Sequence, residues 1–139
     1  MTISNSTLSG NSASTSNPNV CPSGGGISGT SGAVTIDNST ISGNSASQHG
    51  QMGCPGVGGG IGIGTVTLQN TIVANNSVGG NCYIAPTSNG YNLSSDNTCN
   101  FNGPGDLNNT DPKLGPLQNN GWTRSWCVSS WSAGLRWRS

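Results

Sequence analysis

VTIDNSTISGNSA, residues 34–46, is the stretch of sequence that decides the fold. Residues 1–13, MTISNSTLSGNSA, match it position by position, and residues 66–77, VTLQNTIVANNS, repeat it a third time. Self-similarity at a fixed period of roughly 30 residues is typical of repeat architectures, in which each copy forms one structural unit. Apolar and polar residues alternate within each copy, and β-branched residues are frequent, so the pattern indicates strands and not helices.

A glycine run followed by isoleucine precedes the second copy at 24–27 and the third copy at 58–61. We therefore predict an all-β fold, a right-handed parallel β-helix (β-solenoid) with three short strands per coil: the GGGI run, the VTID segment and the STISG segment. One coil spans residues 24–46, and residues 47–57 form an insertion at one corner. Stacked coils bury their apolar residues against the neighbouring coils, so a chain with 30% hydrophobic residues can still form a core.

Asparagine recurs at two places in each copy, where the alternation breaks and where the motif ends. Asparagine tolerates the backbone angles of turns and hydrogen-bonds neighbouring backbone, so these positions are predicted corners. In stacked coils the equivalent residues align, and their side-chain amides can bond along the stack. We predict two such structural columns, Asn5, Asn38 and Asn70, and Asn11, Asn44 and Asn76.

The five cysteines lie at positions 21, 54, 82, 99 and 127. Cys21 and Cys54 occupy equivalent places in consecutive insertions, so stacking brings them about one strand spacing apart, ~4.8 Å, which suits a disulfide. Cys82 and Cys99 enclose a short loop and are the second predicted pair. Disulfides indicate an oxidising, extracellular setting. No pair has the Cys-x-x-Cys spacing of a zinc site, so no metal and no cofactor is predicted.

The charge content excludes several function classes. Only 6% of the residues are charged, and the formal net charge is zero. A chain without a basic patch does not bind nucleic acid through its phosphates, and no apolar run is long enough to span a membrane. Carbohydrate-active β-helices need clustered carboxylates, whereas Asp37 is the one acid within the predicted coils, and Asp96, Asp106 and Asp111 lie in glycine- and asparagine-rich loops. We predict no enzymatic activity and no catalytic residues.

Several motifs resemble right-handed parallel β-helix repeats of bacterial surface proteins. They are NSTISGNSA, the GGGI run, and NTIVANNS at 70–77 followed by GNC at 80–82. The later segments GYNLSSD at 90–96, GDL at 105–107 and DPKLGPLQNN at 111–120 are similar to the terminal part of the choice-of-anchor Q group, which has repeats like those of polymorphic outer-membrane proteins. The resemblance covers residues 1–121 and implies an exported, cell-wall or outer-surface protein; it brings no catalytic motif.

The composition changes abruptly near the end of the chain. All four tryptophans lie within residues 122–139. We expect coils with inserted loops over 1–78, an irregular terminal segment of the β-helix over 79–121, and a Trp/Arg-rich tail over 122–139 that is frameshifted or disordered. Because Met1 takes the place of Val34 in the repeat, we also expect a fragment of a longer solenoid.

The sequence thus predicts a non-enzymatic, extracellular or cell-surface scaffold with an adhesin-like role. Its predicted partners are further copies, through the exposed ends of the solenoid, and a surface glycan or protein ligand; the chain itself has no membrane span. One alternative is a fragment of a carbohydrate-active β-helix enzyme. Another is an ice-binding β-solenoid, suggested by an outward column of Thr2, Thr35 and Thr67 but opposed by the irregular neighbouring column of Ser4, Asp37 and Gln69.

Overall fold

A computed structural model describes residues 1–17, 20–48 and 56–118 of the chain. The described residues contain ten short strands and no helix. The strands are β1 (Thr2–Ser4), β2 (Thr7–Ser9), β3 (Ser12–Thr15), β4 (Val34–Asp37), β5 (Thr40–Ser42), β6 (Ser45–Gln48), β7 (Val66–Gln69), β8 (Ile72–Ala74), β9 (Thr87–Ser88) and β10 (Leu93–Ser94).

All strand pairs are parallel, and they join strands of successive repeats. One sheet has the order β1-β4-β7-β9, a second has the order β10-β8-β5-β2, and a third contains β3 and β6. We call the turn formed by β1–β3 coil 1, that of β4–β6 coil 2, that of β7 and β8 coil 3, and that of β9 and β10 coil 4. The predicted all-β parallel β-helix with three strands per coil is confirmed.

The third strand of coils 1 and 2 differs from the predicted one. The third sheet pairs Ser12–Thr15 with Ser45–Gln48, and Ser77 of the next repeat adds an isolated bridge to Ser45. The glycine run instead forms only isolated bridges, in which Ile61 pairs with Ile27 and with Cys82. The run is too close to its neighbours for side chains: a Cβ on Gly25 would lie 2.2 Å from the carbonyl oxygen of Ser45.

The core is a stack of inward side chains, one row for each sheet. Ile36 and Leu68 are fully buried in the first row, and Ile41 and Val73 are fully buried in the second. Ile3 and Leu8 of coil 1 continue these rows but are only partly buried. At the opposite end the core closes with Phe101 and with Cys82 and Cys99. Each coil therefore supplies only one or two apolar side chains to each row, and stacking completes the core.

The segment after residue 78 continues the β-helix for one more turn. Thr87 and Ser88 of β9 pair with Thr67 and Leu68 of β7, and β10 pairs with β8. The insertion that separates the earlier repeats is missing there, and only two residues lie between Asn76 and the next glycine run. Of the predicted domains, the tail at 122–139 lies outside the described residues.

Candidate functional site

The inner asparagine column is buried between the coils at Asn44 and Asn76, and Asn11 is its exposed end. The side-chain Nδ2 of Asn11 donates to Oδ1 of Asn44, and Nδ2 of Asn44 donates to Oδ1 of Asn76, both at 3.0 Å. The backbone N–H of each donor residue bonds the same oxygen, at 2.9 and 3.0 Å. Asn44 also donates to the carbonyl oxygen of Leu8 in coil 1, at 3.0 Å. Since Asn44 is 0% exposed, these bonds satisfy polar atoms that water does not reach.

Two residues that sequence reasoning missed extend this column. Nδ2 of Asn76 donates to Oδ1 of Asn81 at 3.0 Å, although the two residues are only five positions apart. The backbone N–H of Asn81 then donates to Oδ2 of Asp96 at 3.0 Å. Asn81 replaces the third glycine of the run, at the position of Gly26 and Gly60. This asparagine in place of a glycine is visible when the glycine runs are aligned, and it is the one sequence feature that indicates a place for Asn81 in the column.

Asp96 is the last acceptor of the inner column. Its Oδ1 accepts hydrogen bonds from the Thr98 hydroxyl at 2.6 Å, the Thr98 N–H at 2.9 Å and the Ser94 hydroxyl at 3.2 Å. Burial raises the pKa of Asp96, but the hydrogen bonds from Thr98, Asn81 and Ser94 outweigh it and hold the pKa below its usual 3.8. The carboxylate is therefore a structural anion, held by neutral donors.

A second polar column ends in the same way. The backbone N–H of Thr71 donates to Oδ1 of Asn92 at 2.9 Å, and the N–H of Asn92 donates to Oδ1 of Asp106 at 2.7 Å. The other carboxylate oxygen of Asp106 accepts bonds from the Ser88 hydroxyl at 2.5 Å and the Gly103 N–H at 2.6 Å. Asn92 is 1% exposed. Both buried columns thus end on an aspartate in the terminal segment.

The outer column lies at an exposed corner. Asn5, Asn38 and Asn70 share a left-handed backbone conformation, with φ of 49°, 49° and 48°. Asparagine adopts these angles more readily than most residues, which explains its place at this corner. Nδ2 of Asn70 donates to Oδ1 of Asn38 at 2.7 Å in solvent. This column shapes the turn between the first two sheets, whereas the inner column replaces part of the core.

The cysteines are placed as follows. Cys82 and Cys99 form a disulfide with Cα atoms 4.9 Å apart, which confirms the predicted pair. Cys21 is also disulfide-bonded. Its predicted partner Cys54 lies outside the described residues, as does Cys127. Two described disulfide sites in so short a chain fit a protein folded under oxidising conditions.

The outward face of the first sheet carries a row of threonines. The strand register aligns Thr2, Thr35 and Thr67, and it adds Thr87 of coil 4 as a fourth member. The neighbouring row contains Ser4, aligned with Asp37 and then Gln69. This face is polar, Asp37 is the one charged residue of the two rows, and the second row varies from coil to coil.

The described chain has few charged groups, and most of them form hydrogen bonds or ion pairs. Nζ of Lys113 lies 2.7 Å from Oδ2 of Asp111 in an exposed ion pair. Hydrogen bonds from the Lys113 side chain and backbone lower the pKa of Asp111. Among the described residues, no group of three or more His, Cys, Asp or Glu side chains is arranged to hold a metal ion. The described part of the chain also has no helix with the length and hydrophobicity of a membrane span.

The coils and their buried columns define the class of the molecule, a parallel β-helix braced by polar ladders and by disulfides. No protein-family model, curated protein sequence or solved structure matches this chain.

Proposed function

We propose that the chain is a non-enzymatic scaffold of an exported bacterial surface or cell-wall protein, with an adhesin-like display role. The observation that carries the proposal is the use of its carboxylates. Asp96 accepts four hydrogen bonds from the chain and Asp106 accepts three. A glycoside-cleaving β-helix needs carboxylates that can reach its substrate as acid, base or nucleophile. Here Asp96 and Asp106 are committed to holding the terminal coil, and the other two carboxylates of the described residues are Asp37 on coil 2 and the ion-paired Asp111.

The extracellular placement rests on the disulfides and on the resemblance to the choice-of-anchor Q group. The Cys82–Cys99 bond crosses the end of the core, and Cys21 takes part in a second bond. Such bonds persist in secreted and surface proteins and are rare in reducing compartments. A rigid, charge-poor stalk with loops on one corner suits the display of contact surfaces.

Two kinds of partner are proposed. β1, β2 and β3 are the outermost strands of their sheets, and Ile3 and Leu8 beside them are only partly buried. Outermost strands offer unpaired backbone groups, so further copies of the chain are candidate partners there. The polar outward rows and the insertions are the proposed contacts for a surface glycan or protein ligand.

The experiment combines binding and product analysis on the full oxidised chain. The chain is tested against cell-wall polysaccharides and extracellular-matrix glycoproteins, while the same mixtures are assayed for released reducing ends and unsaturated uronic acids. We expect saturable binding to a surface polymer with no product. Product release that is lost in Asp37→Asn would favour the carbohydrate-active enzyme. Failure to bind any of these polymers would contradict the adhesin-like role.

The threonine row gives the ice-binding alternative one supporting observation, the fourth aligned member Thr87. The neighbouring row of Ser4, Asp37 and Gln69 offers no regular lattice beside it. An assay of ice-recrystallisation inhibition decides between the ice-binding alternative and the scaffold. It compares the native chain with the Thr35→Val and Thr67→Val variants. We expect no inhibition of ice growth by any of the three proteins, whereas inhibition that the substitutions change would support ice binding.

A further inference from the structure

Both strands of coil 4 lie inside the loop that the Cys82–Cys99 disulfide closes. β9 and β10 have two residues each, and each covers the edge of a longer strand of coil 3. The backbone N–H of Asn70 donates to the carbonyl oxygen of Gly90 at 3.1 Å, and that of Thr71 donates to Oδ1 of Asn92. Coil 4 is therefore what satisfies the outer edges of β7 and β8.

The two ends of this loop are attached to the core of the β-helix. Cys82 continues the stack of Ile27 and Ile61 through an isolated bridge, and Cys99 is 0% exposed. Between them the loop contributes the buried Asn92 to the second polar column, and Asn81 of the inner column lies immediately before Cys82. β9 and β10 have only two residues each and bury little apolar surface, so the covalent bond adds the restraint of a closed loop to the hydrogen bonds that Asp96 and Asp106 accept.

Uncovered edges of coil 3 would be good templates for another chain. β7 and β8 carry Val66, Leu68, Ile72 and Val73, and edges of apolar, mostly β-branched residues pair readily with further strands. Short strands are one of the ways in which natural sheets block such pairing. Coil 4 has such short strands, and the disulfide and the two terminal aspartates hold it in place over coil 3.

We propose that residues 82–99 form a disulfide-latched cap, and that its reduction uncovers the edges of β7 and β8 for pairing with a second copy of the chain. A dithiol reductant supplies two electrons and two protons: the Cys82–Cys99 bond breaks, two cysteine thiols form, and the reductant becomes a cyclic disulfide. Loss of the closed loop then lets β9 and β10 leave coil 3. This latch is independent of the scaffold role proposed above.

Amide hydrogen exchange on the full chain tests the opening, and the repeat supplies an internal control. Asn38 and Asn70 occupy equivalent corners with the same φ, but the N–H of Asn38 donates to Gln69 of coil 3 and that of Asn70 donates to Gly90 of the cap. With dithiothreitol in native buffer, we expect Asn70 exchange at low protein concentration to accelerate by roughly 100-fold, the value expected from the entropy of a loop this long. Asn38 exchange should stay unchanged.

The pairing step is measured by light scattering and ultracentrifugation of oxidised and reduced chain over a concentration series. We expect reduction to increase the mass-average association, with Asn70 regaining protection at high concentration. Cys82→Ser/Cys99→Ser should behave like the reduced chain, and Cys21→Ser, which removes the other described disulfide site, like the oxidised chain. Three results would each overturn the latch: equal acceleration of exchange at Asn38 and Asn70, unchanged exchange at Asn70 when both thiols are free, or association that does not depend on reduction. If the double variant does not fold, reduction of the native chain still decides.

Discussion

A single asparagine side chain can stabilise this molecule strongly because its amide group forms hydrogen bonds with three other residues. Asn44 accepts from Asn11, donates to Asn76 and donates to the backbone of Leu8, all without contact with water. A buried polar group is costly unless it is bonded, and a fully bonded one fixes the register of its neighbours. The columns therefore define which coil stacks on which.

Asn44→Ala should lower the free energy of unfolding by about 2–3 kcal/mol, because it leaves the N–H of Asn11 without its acceptor and removes the donor to the carbonyl oxygen of Leu8. Asn11→Ala removes only the exposed end of the same column and should cost under about 1 kcal/mol. Urea unfolding followed by circular dichroism measures both. Equal losses for the two variants would show that burial of the column contributes nothing.

Asp96 should make the free energy of unfolding of the chain depend on pH in the acidic range. Because its folded pKa is held below 3.8, the folded state binds fewer protons than the unfolded state. The stabilisation is then present above the unfolded pKa and is lost as the pH falls through the folded pKa. Asp96→Asn should flatten the dependence of the unfolding free energy on pH below about pH 5. An unfolding free energy that depends on pH equally in the native chain and in Asp96→Asn would contradict the assignment.

At the level of elements, the glycine run is shaped by lack of space. Its glycines follow the strands too closely to carry side chains, and only the isoleucines that end the run, Ile27 and Ile61, place side chains in the core. A Cβ on Gly60 would lie 2.6 Å from the carbonyl oxygen of Asn81 and 2.7 Å from Nδ2 of Asn76. The narrow corner lets the asparagine column pass beside the run, and only in coil 4 does Asn81 take the position of the third glycine.

Gly60→Ala should therefore destabilise the chain by about 1–3 kcal/mol through overpacking against backbone and column. Gly64→Ala is the matched control, because its Cβ would meet only the flexible end of Ile84, at 3.1 Å. We expect the control to change the free energy of unfolding by less than about 0.5 kcal/mol. Thermal unfolding of both variants at one protein concentration checks the difference, and a Gly60→Ala chain as stable as the control would show that the corner has room.

Over the whole molecule, stability should rise from coil 1 toward the middle of the stack. A solenoid is held by contacts between neighbouring coils, so a coil with one neighbour frays before a coil with two. Ile3, Ile36 and Leu68 occupy one aligned row, but Ile3 alone of these three is incompletely buried.

Ile36→Ala should cost about 2–5 kcal/mol, the usual range for truncating a buried isoleucine, and Ile3→Ala clearly less. Hydrogen exchange should show the same order, with the amides of β1 exchanging through local fraying and those of β4 only through global unfolding. Uniform exchange rates along the row would mean that the coils unfold as one unit.

The sequence by itself determined the repeat, the parallel stacking of strands and the corner asparagines, because each follows from spacing within or between matching copies. It also determined the Cys82–Cys99 pair, because the two cysteines enclose a short loop. Only the tertiary structure decided that the inner asparagine column is buried and the outer one exposed, and that Ser45–Gln48 forms the third strand in place of the glycine run. It also brought Asn81, Asn92, Asp96 and Asp106 into the columns. The physical reason is that the terminal segment lacks the insertion, so its partners lie at irregular separations such as 5 and 21 residues, which no period in the sequence encodes.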